Sequence, residues 1–212
     1  IKSIDKDIKI IVVENSNNNK FKEELEMKYN NVSCVLSYDN LGMGRGNNFG
    51  IRKTKTDFVL ILNPDVILES TTINELIISA QKNSNFSIIA PISSDINYPN
   101  YKLDNEQKNI IRNEQPFKVK SVDGFAMLFN KIKLEKIIDE DYFDENFFMY
   151  LENDDLCKRI VDAKEYIYIA PNSKIKHLGG KAVNIKYKNE VEFARNWHWI
   201  WSKFYFNKKH YG

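Results

Sequence analysis

The sequence predicts an α/β fold in which a largely parallel sheet is covered by helices on both faces. Two observations lead to this prediction. Apolar, β-branched runs alternate with helical segments through the first 93 residues, and each of these runs ends in polar residues. Strands buried on both faces read as continuous apolar runs, and a β-α-β-α-β-α-β order is typical of a parallel sheet.

The first half of the chain supplies four predicted strands. They lie at residues 8–15, 32–38, 57–63 and 86–93. Helices are predicted at 19–30 and 70–83, the second opening with Ser70 and Thr71 as suitable N-caps. Residues 40–54 are predicted to form a glycine- and asparagine-rich loop that runs into a short helix.

The second half is less regular. Residues 94–117 are polar and are predicted to form a long loop or flap. A strand and a helix are predicted within 121–137, an amphipathic helix at the end of 147–164, and a strand within 165–180; an aromatic, basic tail follows at 197–212. We expect a single domain over residues 1–212, with a nucleotide-binding half at 1–93 and an acceptor-side half at 94–212.

Composition narrows the function classes. The chain has 212 residues, a net charge of +2 and 42% hydrophobic residues, which suits one ordinary globular domain. The charge is too mild to indicate a nucleic-acid partner. Cys34 and Cys157 do not form a C-x-x-C pair, so we expect two reduced thiols in a cytoplasmic protein. The sequence contains no apolar run of the roughly 18 residues that a membrane span requires.

The segment Asn63-Pro64-Asp65 is the first candidate site. It ends the apolar run from Phe58 to Leu62, and Pro64 enforces a turn because it has no N–H for a ladder. Ligands of such sheets bind outside the carboxyl ends of the strands. Mg²⁺ or Mn²⁺ prefers carboxylates together with phosphate oxygens, so Asp65 is a candidate metal ligand. The alternative is that the segment is only a turn.

The stretch "NLGMGRGNN" is the second candidate. Gly42, Gly44 and Gly46 would allow a ligand to approach the backbone closely, and Arg45 would neutralise phosphate. The stretch fits neither G-x-G-x-x-G nor a P-loop. An ordinary turn remains the alternative.

The acidic run in "YLENDDLCKR" and the histidine in "KHLGG" complete the set. A carboxylate at a helix N-terminus is expected as a cap, but four polar or acidic residues from Glu152 to Asp155 exceed what capping needs. One of them would act as a general base. His177 would complete a metal shell or contact phosphate, unless its role is structural.

Taken together and in this order, these motifs resemble glycosyltransferase family 2, and its rhamnosyltransferase-like branch in particular. The resemblance covers nearly the whole chain, from "IIVVENSN" through "LILNPDV" and "VDGFAMLFNK" to "HLGG". It implies a GT-A type three-layer α/β/α sandwich with a mostly parallel central sheet. It also implies metal-dependent, inverting transfer of a sugar from a nucleoside diphosphate-sugar, with dTDP-rhamnose as one candidate donor.

The resemblance also implies roles for individual residues. Asp65 would hold Mg²⁺ or Mn²⁺, and His177 would close the metal or diphosphate site. The residues implied to contact the donor are Glu14, Asn40, Arg45, Asn48, Asp123 and Gly124, the last two near the sugar.

Two departures from the family pattern affect these expectations. Position 153 is Asn where many relatives carry the catalytic Asp, so the base would be Glu152 or, as the second choice, Asp155. The chain also starts without the strand and helix that normally open the family's fold, so we expect an N-terminally truncated fragment.

The expected acceptor is a polysaccharide or a lipid-linked saccharide, reached at the inner face of the membrane if the aromatic, basic tail contacts lipid. A packing helix would explain the tail equally well. Two other functions stay open: a sugar-phosphate nucleotidyltransferase, and a non-catalytic module that binds nucleotide or carbohydrate.

Overall fold

The computed structural model describes the whole chain except residues 2–3, 96, 104–113, 140 and 180–187. Ten strands are described: β1 (Ile10–Glu14), β2 (Val32–Leu36), β3 (Phe58–Leu62), β4 (Val66–Leu68), β5 (Phe86–Ser93), β6 (Tyr101–Lys102), β7 (Phe117–Val119), β8 (Ser121–Val122), β9 (Ala126–Asn130) and β10 (Tyr166–His177). Six helices are described: α1 (Asn19–Lys28), α2 (Gly42–Arg52), α3 (Thr72–Lys82), α4 (Lys131–Leu134), α5 (Glu152–Asp162) and α6 (Lys188–Tyr211).

The central sheet has six strands in the order β3-β9-β5-β10-β4, with β7 also pairing with β10. Strand β9 runs antiparallel to both of its neighbours, so β3 and β5 point the same way. Strand β10 is parallel to β5 and antiparallel to β4. The carboxyl ends of β3, β5 and β10 therefore lie at one edge of the sheet, and β4 and β9 begin there.

Two smaller sheets flank the central one. Strands β1 and β2 form a parallel pair, in register from Ile10 opposite Val32 to Glu14 opposite Leu36. Strands β6 and β8 form a short antiparallel pair. Every residue of β1 is half-buried, although its sequence IIVVE is that of an interior strand.

Helices cover both faces of the central sheet. On one face, Leu76 and Ala80 of α3 pack against Phe86 and Ile89. On the other face, the core contains Ile51 of α2 and the α5 residues Leu156, Cys157 and Ile160 with Ile88, Met127 and Phe129. Adjacent residues Ile88 and Ile89 therefore face opposite layers, as the period-2 alternation of a strand requires.

The structure confirms the α/β class, with helices on both faces of the sheet. It corrects the prediction of a mostly parallel sheet, because β5 with β10 is the parallel pair of the central sheet and its other described pairings are antiparallel. Antiparallel β9 is the reason, since it inserts between β3 and β5.

A second correction concerns the glycine-rich stretch. The sequence predicts a loop that runs into a short helix, whereas α2 already begins at Gly42 and includes all three glycines of the stretch. Tertiary contact overrides the low helix propensity of glycine here, because Gly44 and Gly46 are buried against neighbouring segments. Much of the predicted flap, at 96 and 104–113, lies outside the described residues.

Candidate active site

Asp65 and His177 form a pair at the carboxyl edge of the central sheet. His177 Nε2 lies 3.2 Å from Asp65 Oδ2, and both side chains are partly exposed. Strand pairing sets this geometry, because His177 is opposite Val66 and the N–H of Leu178 donates to the carbonyl of Asp65 over 3.0 Å. The turn at Asn63-Pro64-Asp65 thus carries the chain from β3 to β4 and places a carboxylate beside the end of β10.

Phe125 holds the imidazole of this pair. Its ring stacks on His177 with centroids 4.2 Å apart and planes 20° apart. Phe125 is itself positioned by β3, since its carbonyl accepts the N–H of Asn63 over 2.9 Å. The stack fixes the plane of the imidazole while its Nε2 faces the carboxylate.

The donor atoms of this pair fit a dication such as Mn²⁺. A carboxylate oxygen and an imidazole nitrogen are both ordinary ligands of that ion, and Mg²⁺ shares the preference for the carboxylate. No cluster of three or more His, Cys, Asp or Glu side chains suited to a metal occurs among the residues that the structure describes. Asp65 and His177 would therefore hold such an ion together with oxygens from phosphate or water.

The turn formed by Asp123 and Gly124 lies beside this pair. Loss of hydration raises the pKa of the Asp123 carboxyl, as does the charge of Asp154, whereas Lys102 and His177 oppose the shift. Asp123 opens to solvent, yet surrounding protein crowds its carboxylate, which accounts for the lost hydration. The charges of both His177 and Asp154 therefore reach the Asp123 carboxyl.

Gly124 lies against side chains of both α2 and α5. A Cβ there would lie 2.6 Å from Met43 Cε and 3.2 Å from Asn153 Cβ. Asn153 in turn donates its side-chain N–H to the carbonyl of Val122 over 2.9 Å. Asn153 therefore fixes the 122–124 backbone against α5, a role that the sequence did not predict.

Glu152, the first residue of α5, is buried with 2% of its surface exposed. Burial raises the pKa of its carboxyl to about 7, and the charge of Asp154 adds to the shift, against a smaller lowering by a backbone N–H. No hydrogen-bond partner of its Oε2 lies among the described residues. Such a carboxyl takes up and releases a proton near neutral pH, as a general base must.

Asp155, the second candidate base, faces the C-terminal helix. Its buried carboxylate accepts from Arg159 Nε over 2.9 Å and lies 2.7 Å from Lys209 Nζ and 2.8 Å from His210 Nε2. These partners saturate the carboxylate, so the bonding indicates that Asp155 anchors α6 to α5. Glu152 is then the member of the acidic run whose chemistry suits proton transfer.

The residues predicted to contact the nucleotide lie at the end of β1 and along α2. Glu14 accepts from the backbone and hydroxyl of Ser16 and from the N–H of Asn18, and these bonds lower its pKa. Asn40 accepts the N–H of Gly42 over 3.1 Å. The Glu14 carboxylate therefore shapes the turn into α1, and Asn40 shapes the entry to α2.

Arg45 and Asn48 both contact the segment before α5. Arg45 is half exposed and pairs with Glu145 over 3.0 Å. Asn48 is buried; it donates to the carbonyl of Phe143 over 2.7 Å and accepts that residue's N–H over 3.0 Å. Asn48 thus has a structural role in the protein without ligand, and its contact with nucleotide stays a prediction.

Asn15 is a residue whose environment the sequence could not reveal. Its Nδ2 donates to the carbonyl of Gly42 over 3.2 Å, and its Oδ1 is buried with no partner among the described residues. A Cβ on Gly46 would lie 3.3 Å from that amide. The sequence signal that could have pointed to Asn15 is its position directly after Glu14, at the polar end of β1.

Comparison with known protein families shows which family the chain belongs to. The family model described as glycosyl transferase family 2 matches residues 1–138. This chain belongs to glycosyl transferase family 2. The match includes Asp65 and Asp123 and ends before Glu152, Asp155 and His177.

Individual relatives of this family 2 chain are more distant. It is 28% identical over 165 residues to the low-salt glycan biosynthesis hexosyltransferase Agl10 of Haloferax volcanii, a match that covers 70% of this chain and 52% of Agl10. The chain thus spans about half the length of that curated relative.

A solved structure supports the fold. A crystal structure of GalNAc-T7 with UDP, GalNAc and Mn²⁺ is similar with a TM-score of 0.64 at 12% identity, over 80% of this chain and 37% of the other. At that identity the likeness shows the fold alone, and it confirms the predicted GT-A type α/β fold.

Proposed function

We propose that this chain is the catalytic part of an inverting, metal-dependent glycosyltransferase. It moves a sugar from a nucleoside diphosphate-sugar to a polysaccharide or lipid-linked acceptor. Its resemblance to the rhamnosyltransferase-like branch makes dTDP-rhamnose the first donor to test. One arrangement carries the proposal: the Asp65–His177 pair and the start of α5 both contact the 122–125 segment, through the Phe125 stack on His177 and the bond from Asn153, the neighbour of Glu152, to Val122.

The diphosphate side of the site is assigned to Asp65 and His177. Together with diphosphate oxygens they would hold Mg²⁺ or Mn²⁺, which when bound neutralises the charge of the leaving diphosphate. Phe125 keeps the imidazole in place for this ligand set. Asp123 and Gly124 border the sugar, at a point where a Cβ on Gly124 would crowd the end of Met43.

The nucleotide side is assigned to the end of β1 and the start of α2. Arg45 is exposed and positively charged, which suits a phosphate, and Glu14 would accept from ribose or base. Asn40 is exposed at the entry to α2. Asn48 acts from behind by holding the 143–145 segment.

Glu152 is proposed as the base. Its ionised carboxylate removes the proton of an acceptor hydroxyl as the acceptor oxygen bonds to the anomeric carbon. The bond from that carbon to the diphosphate oxygen breaks on the opposite face, and the nucleoside diphosphate leaves with the electron pair. The configuration of the sugar therefore inverts, and the proton remains on Glu152.

The proposed reaction takes place in the cytoplasm at the inner face of the membrane. Helix α6 supports this, because Phe193, Trp197, Ile200 and Phe204 are 58–75% exposed along one side of it. Exposed lysines occur on the same helix. Aromatic residues with basic neighbours are typical of helices lying in a membrane interface. None of the helices in the described part of the chain combines the length and apolar composition that crossing a bilayer requires.

Calorimetry and a turnover assay test the proposed function. We expect UDP or dTDP to bind more tightly with Mn²⁺ than without it, and Asp65→Asn to abolish that difference and the turnover of donor. Asp57→Asn is the matched control, since this exposed carboxylate precedes the opposite end of β3. Binding without turnover on any acceptor would instead favour the non-catalytic module, and equal loss in both variants would remove Asp65 from the mechanism.

A further inference from the structure

A cleft of about 520 Å³ lies between α6 and the segment before α5. Tyr150 lines it from that segment, and α6 contributes Glu192, Arg195, Asn196 and Trp199. The spacing of 3, 4 and 7 residues puts the α6 side chains on one face of the helix. This face differs from the outward side formed by Phe193, Trp197, Ile200 and Phe204.

The lining combines two aromatic rings with hydrogen-bonding groups. Tyr150 and Trp199 pack edge to face, with ring centroids 5.7 Å apart and planes at 81°. Trp199 nevertheless keeps 45% of its surface exposed. Arg195 is half-buried and Asn196 is exposed beside it, so donors and an amide oxygen border the aromatic surface.

This combination fits a saccharide. One face of a pyranose ring presents C–H groups, which pack on an aromatic surface, and its rim carries hydroxyls that donate and accept hydrogen bonds. Ligand sites generally pair apolar or aromatic walls with a few polar groups that fix orientation. A guanidinium and an amide next to an exposed indole supply both parts.

The position of Tyr150 links the cleft to the candidate base. Tyr150 and Leu151 have φ values of 72° and 64°, in the left-handed region that non-glycine residues rarely adopt. Strain of this kind concentrates at functional sites when the surrounding structure imposes it. Glu152 follows directly, and two residues span at most about 7 Å, so a sugar packed on Tyr150 lies close to the start of α5.

We propose that this cleft is a saccharide-binding subsite that positions the acceptor next to Glu152. This inference rests on the proposed function, because it assigns the cleft to the acceptor of that reaction. Trp199 supplies the stacking surface, and Arg195 and Asn196 bond to hydroxyls of the sugar. Tyr150 lines the cleft two residues before Glu152, so a sugar bound there lies close to the start of α5.

The three tryptophans of the sequence make the test direct, since all of them lie in α6 at 197, 199 and 201. The double variant Trp197→Phe and Trp201→Phe leaves Trp199 as the single indole fluorophore. We expect titration with the methyl glycosides of rhamnose, mannose, glucose, galactose and N-acetylglucosamine to change its emission saturably for at least one sugar. In calorimetry on single variants of the natural protein, Trp199→Ala should weaken binding of that sugar about tenfold. Trp197→Ala should leave the affinity within about twofold.

Further measurements keep failure of the subsite separate from failure of the proposed function. Arg195→Gln, which retains the helix and its aromatic residues, should also weaken the sugar. The subsite is overturned if no glycoside gives a saturable response up to about 100 mM, or if Trp199→Ala and Arg195→Gln bind as the natural protein does. Binding of UDP or dTDP with Mn²⁺ is measured on the same samples. Intact nucleotide binding alongside absent saccharide binding overturns the subsite alone, while absent nucleotide binding by the natural protein overturns the proposed function.

Discussion

His177 Nε2 lies 3.2 Å from Asp65 Oδ2, and backbone pairing between β4 and β10 holds the two residues together. Phe125 stacks on the face of the imidazole and restricts its orientation. Strand register therefore positions the two proposed metal ligands, and their placement does not depend on the conformation of a long loop.

We expect His177→Gln to weaken Mn²⁺-dependent binding of nucleoside diphosphate by at least about tenfold, because the imidazole is one of the two proposed protein ligands of the metal. Phe125→Leu should weaken it less than His177→Gln does, since both ligands remain and only the stacking that orients the imidazole is lost. Calorimetry with and without Mn²⁺ measures both. His198→Gln, a stacked histidine on α6, is the control. Equal metal dependence in His177→Gln and the natural protein would contradict the assignment.

The Asp65 turn shows what sequence alone can predict. A run of apolar residues that ends at Asn63-Pro64 indicates a buried strand followed by a turn. The edge of the sheet at which Asp65 lies then follows from the rules of α/β sheets. The predicted strands ending near residues 15, 63 and 93 are present for the same reason, since local apolar pattern determines them.

Residues whose roles depend on distant partners could not be predicted in this way. Asn48 is buried against Phe143, and Asp155 is bound by Lys209 and His210. Nothing near either residue in sequence announces these contacts. The early start of α2, at Gly42, could not be predicted for a related reason: tertiary contacts fix its glycines, and the carbonyl oxygen of Phe148 would clash with a Cβ on Gly42.

Glu152 gives a prediction for stability against pH. Burial raises the pKa of its carboxyl from the usual 4.5 to about 7, so the folded protein holds this proton more tightly than the unfolded chain. Its stabilising contribution is complete below pH 4.5 and is lost as pH rises through 7. Relative to Glu152→Gln, the natural protein should therefore lose on the order of 3 kcal/mol of unfolding free energy between about pH 4 and pH 8.

Denaturant unfolding of both proteins across this range measures the difference. Glu23→Gln on the exposed face of α1 is the control and should track the natural protein at every pH. If the free energies of unfolding of the natural protein and Glu152→Gln change in parallel with pH, burial does not raise the pKa of the Glu152 carboxyl.

The same carboxyl gives a prediction for catalysis. The base is active when ionised, so donor turnover should rise with pH and level off above about 7. Glu152→Gln should reduce single-turnover transfer by about 10²- to 10⁴-fold while nucleotide binding is kept. If Asp155→Asn eliminates transfer with its fold intact and Glu152→Gln does not, the base is Asp155.

Asp155 gives a prediction about the attachment of α6. Its buried carboxylate meets Arg159, Lys209 and His210, and removing the charge leaves these groups without their shared acceptor. We expect Asp155→Asn to lower the free energy of unfolding by about 3 kcal/mol and to speed amide exchange in the last turns of α6. Asp162→Asn breaks the exposed pair with Lys158 on the same helix and should cost at most about 0.5 kcal/mol. Unchanged exchange in α6 of Asp155→Asn would mean that other contacts hold the helix.

Helix α6 has an unusual arrangement of polarity, which leads to the last prediction. Ser202 on its inner side is buried and donates to the carbonyl of Met149 over 2.7 Å, whereas Trp197, Ile200 and Phe204 are exposed on its outer side. The inner side is thus held by hydrogen bonds and by aromatic contacts with the segment before α5, such as Tyr205 with Phe147, and the outer apolar side is left exposed. Such a face, with lysines on the same helix, suits the interface of an anionic bilayer, where indole rings sit among headgroups and lysines meet lipid phosphates.

We expect the protein to sediment with vesicles of phosphatidylglycerol and phosphatidylcholine, and to bind much less to phosphatidylcholine alone or at high salt. Replacing Trp197 and Phe204 by Ser should reduce sedimentation about tenfold or more, because each aromatic ring loses its burial in the interface. Phe21→Ser, on an exposed part of α1, is the matched control and should sediment as the natural protein does. Equal binding by the α6 double variant would show that this face does not contact lipid. If neither the natural protein nor the variant sediments while light scattering shows self-association through α6, the apolar side is instead a contact between copies of the chain, and the proposed approach to a lipid-linked acceptor would have to use another surface.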